Sequence, residues 1–96
     1  MRARKRFVVI VYDISDTRRR NKIVTAIKKY GGRINLSVFE CMLTDSDFTR
    51  LKAEIGRHID VRTDQVVYYR LCVDCYTAIT YQPDLKRPGQ SASIVL

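Results

Sequence analysis

Three observations predict an α+β domain. An apolar run rich in β-branched residues, RFVVIVY at 6–12, opens the chain. Two stretches with apolar residues at helical spacing lie at 17–30 and 45–58. Strand-like runs, RINLSVFECML at 33–43 and QVVYYRLC at 65–72, separate and follow them. The resulting order is strand, helix, one strand or two, helix, strand. That is the split βαβ, ferredoxin-like βαββαβ arrangement, an antiparallel sheet with two helices on one face.

The first strand is apolar on both faces and therefore central. Ser15 and Asp16 are good N-caps for a helix over Thr17–Tyr30. Its stripe is Ile23, Val24, Ile27 and Tyr30, with Arg18, Lys22, Thr25 and Lys29 on the other side. Gly31-Gly32 is the expected stop. Ser37 marks a turn or bulge that divides 33–43 into two short strands. Thr44 opens TDSD, a capping-box pattern, ahead of a helix over Asp45–His58 that buries Phe48, Leu51, Ile55 and Ile59. Arg50 and Glu54 sit four apart, within pairing reach. His58 ends the helix as a surface cap. Tyr68 and Tyr69 alternate on the last strand, one buried and the other exposed or at an interface. YTAITY at 76–81 is expected to extend that strand or add another.

The domain is assigned to 1–81. Residues 82–96 read as a polar connector followed by an edge strand, SASIVL, which adds to a sheet edge of this chain or of a neighbour. A sheet with one bare face and an apolar, β-prone end points to a homodimer. No apolar run approaches a membrane span, and the basic start lacks the pattern of a signal peptide, so the expected location is cytoplasmic with no membrane partner. Three cysteines, Cys41, Cys72 and Cys75, are an odd number and argue against a disulfide framework. Zinc at the Cys72–Cys75 CxxC would need two further ligands, and only Cys41 and His58 remain to supply them, so these cysteines read as small hydrophobes.

The formal net charge is +8, and its location is informative. Residues 1–33 carry eleven basic and two acidic side chains, and the remainder carries seven and eight. Such asymmetry is the footprint of a polyanion binder, nucleic acid above all. Arg18, Arg19, Arg20 and Lys22 crowd a helix start, where cations oppose the helix dipole. Bound phosphate would offset that cost, and an ordinary solvated charge run is the alternative. Asp13 lies where the first strand gives way to the first helix. It can hold Mg²⁺, a hard cation that takes oxygen ligands, or it can start the helix or pair with a neighbouring arginine. One carboxylate is a poor metal site, and a two-fold axis beside Asp13 would supply a second. Phe39 reads as core.

YDISDTRRRNKIVTAIKKYGGRINLSVFEC, 12–41, resembles the CRISPR-associated endoribonuclease family 2, the small dimeric subunit of the spacer-acquisition complex. DQVVYYRLC, 64–72, is similar to that family's fourth strand. The chain departs from the pattern at Asn35, where glutamine is usual, and at Lys22, where some members carry arginine. The resemblance implies a ferredoxin-like homodimer whose two Asp13 copies share Mg²⁺ at the axis. It implies that Arg20, Arg33 and Phe39, with Ser37 in the same motif, join Asp13 in the nuclease site. The basic run adds the expected nucleic-acid-binding set, Arg18, Arg19, Arg20, Lys22 and Arg33. The resemblance also implies an integrase partner, a part in spacer acquisition, and cleavage of single-stranded RNA or duplex DNA. A DNA-binding scaffold without catalysis and an RNA-cleaving toxin of the same fold are the alternatives.

Overall fold

The structure, a computed structural model, describes residues 4–83. Its elements are β1 (Lys5–Asp13), α1 (Thr17–Ile27), β2 (Gly31–Asn35), β3 (Val38–Thr44), α2 (Asp45–His58), β4 (Gln65–Leu71) and a short α3 (Val73–Thr77). The sheet order is β2-β3-β1-β4, with every neighbouring pair antiparallel. This is the expected ferredoxin-like arrangement. Of the connector and edge strand expected at 82–96, all but residues 82 and 83 lie outside the described residues.

β1 is central, as its two-sided apolarity requires. Val8, Ile10 and Tyr12 point to the helices and are buried with Ile23, Val24 and Ile27 of α1, Phe39, Cys41 and Leu43 of β3, and Leu51 and Ile55 of α2. Phe7, Val9, Val11 and Asp13 alternate onto the opposite face. Their cross-strand partners place Met42, Glu40 and Val38 of β3, and Leu71, Tyr69, Val67 and Gln65 of β4, on that same face. It is largely apolar and, apart from α3, no helix of the described residues covers it. Tyr76 of α3 stacks on Phe7 with ring centroids 4.3 Å apart. Tyr68 takes the helix side, edge-on to Phe48 at 5.5 Å, while Tyr69 is exposed on the open face.

Asp16 caps α1 by accepting from the Arg19 amide at 2.9 Å, and Thr44 caps α2 by accepting from the Asp47 amide at 3.0 Å. Four expectations need correction. α1 ends at Ile27, and Gly31-Gly32 is the start of β2 rather than a helix stop. A Cβ on Gly31 would meet the Glu40 carbonyl inside van der Waals contact and approach Cys41 Cα to 2.7 Å, so close strand approach explains this glycine. Residues 73–77 are helical, because Cys72 caps the turn and Tyr76 packs beneath Phe7, a tertiary contact that strand propensity cannot reveal. Arg50 pairs with Asp47 at 2.7 Å, and Glu54 faces Lys29 of α1 instead. Cys41 is buried, but Cys72 and Cys75 are exposed.

Candidate active site at the end of strand β1

Residues 35–38 form a two-residue hairpin whose tip is Leu36-Ser37. Such turns favour positive φ, yet no non-glycine residue described here has it. A register shift between Arg33 and Asn35 absorbs the mismatch, and Tyr12 holds the tip. The Tyr12 amide donates to the Ser37 carbonyl at 3.1 Å, and its buried hydroxyl donates to the Leu36 carbonyl at 2.5 Å. Tyr12 thus fixes Ser37 against the residue that precedes Asp13, a positioning role absent from the sequence reading. Its signal was an aromatic with a polar tip at the last inward position of the strand.

Asp13 ends β1, exposed, on the open side of the sheet. The chain then turns through Ile14 and Ser15 into α1. Arg20 reaches back from the second turn of α1 and donates from one nitrogen to the carbonyls of Ile14, at 3.0 Å, and Ser15, at 3.4 Å. Its other terminal nitrogen donates to the Thr17 hydroxyl at 3.2 Å. The guanidinium therefore ties down the loop that carries Asp13.

Asp13, Arg20, Arg33 and Ser37 line one open cleft of about 690 Å³, together with Asn21 and Leu36. They come from three parts of the chain. Phe39 stands apart. It is fully buried and cannot touch a substrate, so its place is beneath Arg33, whose guanidinium carbon lies 5.4 Å from the ring centroid. Stacking on a buried ring holds a planar cation while leaving its edge for an anion.

The expected phosphate-binding cations separate into groups. Arg18, Lys22 and Arg33 are exposed. Arg19 is committed elsewhere. Its Nε and a terminal nitrogen bind both oxygens of Asp64 at 2.8 and 3.1 Å. The Asp64 side chain is shut off from solvent and also accepts from the Asp60 amide at 2.8 Å. These bonds, the Arg19 guanidinium first, hold the Asp64 carboxyl down at about 2. Arg19 is thus a brace between α1 and the loop before β4, which narrows the expected phosphate set. Arg4, Lys5 and Arg6 lie at the opposite end of β1, about 25 Å away for a strand of that length. The basic third of the sequence is therefore two patches.

No group of three or more His, Cys, Asp or Glu side chains able to hold a metal occurs among the described residues. None of the described helices is long and apolar enough to cross a membrane.

Residues 6–79 match the family described as CRISPR associated protein Cas2. The chain is 39% identical over 67 residues to the CRISPR-associated endoribonuclease Cas2 4 of Rhodospirillum rubrum, which covers 70% of this chain and 54% of that protein. The chain thus spans about half the length of that relative. It is 37% identical over 91 residues to the CRISPR-associated endoribonuclease Cas2 1 of Chloroflexus aurantiacus, covering 94% of this chain and 98% of that one. Among solved structures, Streptococcus pyogenes Cas2 is similar at a TM-score of 0.72 and 26% identity, over 78% of this chain and 96% of the other. A chain of a partial Cas6-RT-Cas1–Cas2 complex shares the fold at a TM-score of 0.65 and 24% identity, covering 79% of this chain and 89% of that one.

Proposed function

The chain belongs to the family of CRISPR-associated Cas2 proteins, and from that premise we propose that it is a homodimeric, Mg²⁺-dependent endonuclease for RNA or duplex DNA, acting beside an integrase subunit in spacer acquisition. One observation carries the catalytic half. The fold brings Asp13, Arg20, Arg33 and Ser37, far apart in sequence, into one open cleft with a fixed floor. Two curated relatives are named endoribonucleases, and one fold neighbour comes from a complex that contains Cas1, which supports the direction of the reading.

The donor chemistry fits magnesium, with a condition. Asp13 offers an exposed carboxylate, a hard oxygen donor, at the cleft mouth. A single chain supplies too few carboxylates, and a second Asp13 from a two-fold partner would complete the set. The apolar open face that carries Val9, Val11, Val67 and Tyr69 is the surface for that partner. Bound Mg²⁺ would supply Lewis acidity that makes water nucleophilic at neutral pH and neutralises phosphate charge. The chain's own residues do the rest. Arg33 binds a phosphate from its Phe39 platform and stabilises the charge that grows on it during attack. Ser37 donates a hydroxyl hydrogen bond to a phosphate oxygen from the tip held by Tyr12. Arg20 keeps the Asp13 loop from drifting. Arg18 and Lys22 hold the flanking backbone, so affinity should fall by roughly one log unit per log unit of salt for each phosphate neutralised.

A scaffold reading, DNA binding without cleavage, is favoured by the exposed cations, which need no metal. The test that separates the two compares wild type with Asp13→Ala for RNA and duplex-DNA cleavage, in Mg²⁺ or EDTA, with DNA binding measured in parallel. Mg²⁺-dependent cleavage that the variant loses while it still binds supports the nuclease. Absence of cleavage in both proteins with binding intact leaves the scaffold.

A further inference from the structure

The exposed pair Cys72–Cys75 belongs to none of this machinery. Cys72 follows β4 directly and caps α3, and its Sγ accepts from the Cys75 amide at 3.4 Å. The same local geometry brings the two sulfurs to 3.3 Å. Both thiols are open to solvent, while Cys41 is buried in the core. We propose that Cys72 and Cys75 form a redox-reactive dithiol, a modification site in which Cys72 is the attacking thiol and Cys75 the resolving one, closing to an intramolecular disulfide on reaction with a low-molecular-weight disulfide.

Closure requires the sulfurs to approach by about 1 Å, to the S–S bond length of about 2.05 Å. Residues three apart in a first helical turn are neighbours, so side-chain rotation achieves this without moving the strand. The assignment of roles follows from which sulfur is hydrogen-bonded. The Cys75 amide, then the Cys75 thiol, stabilise negative charge on Cys72 and lower its pKa. Cys75 is shifted upward, first by its side-chain contact with Cys72 and then by the charge on Cys72. Burial pushes Cys41 up to about 12, which makes it inert.

The exchange balances. The Cys72 thiolate attacks one sulfur of the small disulfide, and one small thiolate leaves. The Cys75 thiolate then attacks Cys72 Sγ and expels the second. Two protein thiols are oxidised by two electrons, one small disulfide is reduced to two thiols, and the two protein protons pass to the departing thiolates. The ring formed sits beside Tyr76, whose contact with Phe7 seats α3 on the open face of the sheet.

The experiment treats the full chain with oxidised glutathione near neutral pH, quenches with acid, and maps thiols by alkylation and mass spectrometry in denaturant. The expected result is loss of two hydrogens confined to the Cys72–Cys75 peptide, with Cys41 still alkylated. Cys75→Ser should trap glutathione on Cys72 about tenfold faster than Cys72→Ser traps it on Cys75. Both positions are exposed, so both variants should fold, and far-ultraviolet circular dichroism checks this. Closure absent while glutathione adds to either cysteine singly, modification of Cys41 at the same rate, or equal trapping in the two variants overturns the proposal.

Discussion

Arg20 donates to the carbonyl of Ile14 at 3.0 Å, gripping the backbone immediately after Asp13. A cation in a run of three arginines is thereby a loop clamp rather than a free phosphate ligand. Arg20→Lys keeps the charge but loses the planar fork that spans two carbonyls and the Thr17 hydroxyl. Cleavage should fall on the order of 100-fold, the cost of displacing a reacting group by about 1 Å, while nucleic-acid affinity changes little. The check is single-turnover cleavage beside filter binding. Wild-type cleavage in the variant would remove the clamp role.

Tyr12→Phe isolates the second positioning bond. The ring stays in the core against Phe39, with centroids 6.2 Å apart in the wild type, and only the hydroxyl bond to Leu36 is lost. Stability should drop by about 1 kcal/mol, the net worth of the hydrogen bond removed. Urea unfolding reads this directly. A larger effect on cleavage than on binding is expected, because Ser37 loses its anchor.

The fold and the site were legible to different degrees. β1, the caps at Asp16 and Thr44, and the stripe Leu51–Ile55 follow from periodicity and capping chemistry, which act locally. Asp13 was legible as a carboxylate at a strand end. What the sequence hid is tertiary. Arg18, Arg19 and Arg20 look alike as letters, and only the fold hands Arg19 to Asp64, 45 residues away, and leaves Arg18 in water. Gly31 resembled a helix stop because the same residue type serves tight turns and close strand approach. α3 depends on Tyr76 finding Phe7, which no local pattern encodes.

The Arg19–Asp64 pair predicts an acid limb. Asp64 titrates at about 2 in the folded chain and at about 3.9 when unfolded. A depressed carboxylate contributes stability above the unfolded value and loses it as pH falls toward the folded one. Wild-type stability should therefore decline between about pH 4 and pH 2. Asp64→Asn should be less stable at neutral pH and flatter across that window. Urea midpoints from pH 7 to pH 2 make the comparison, and an unchanged acid limb in the variant would contradict the pairing.

Gly31→Ala drives a methyl group into the Glu40 carbonyl and Cys41 Cα. The backbone of β2 must shift, at a cost of about 1–3 kcal/mol. Denaturant midpoints measure the loss. Gly56, whose Cβ position meets nothing within 4 Å, is the control, and Gly56→Ala on α2 should be neutral or stabilising.

Val67 sits on the open sheet face opposite Val11. Val67→Lys places a charge in the face assigned to the second copy, where burial without a partner is unfavourable. The variant should sediment as a monomer under conditions where wild type is a dimer, and its cleavage should fall with dimer content. A variant that remains dimeric would move the interface elsewhere.

The most direct test of the shared site is the stoichiometry of Mn²⁺, a spectroscopic substitute for Mg²⁺, titrated into the purified protein while cleavage is followed on the same samples. One ion for every two chains, lost together with cleavage in Asp13→Ala while the dimer persists, is the predicted result. Cleavage at full rate with no ion bound, or an ion that still binds Asp13→Ala, would contradict a metal held between two copies of Asp13.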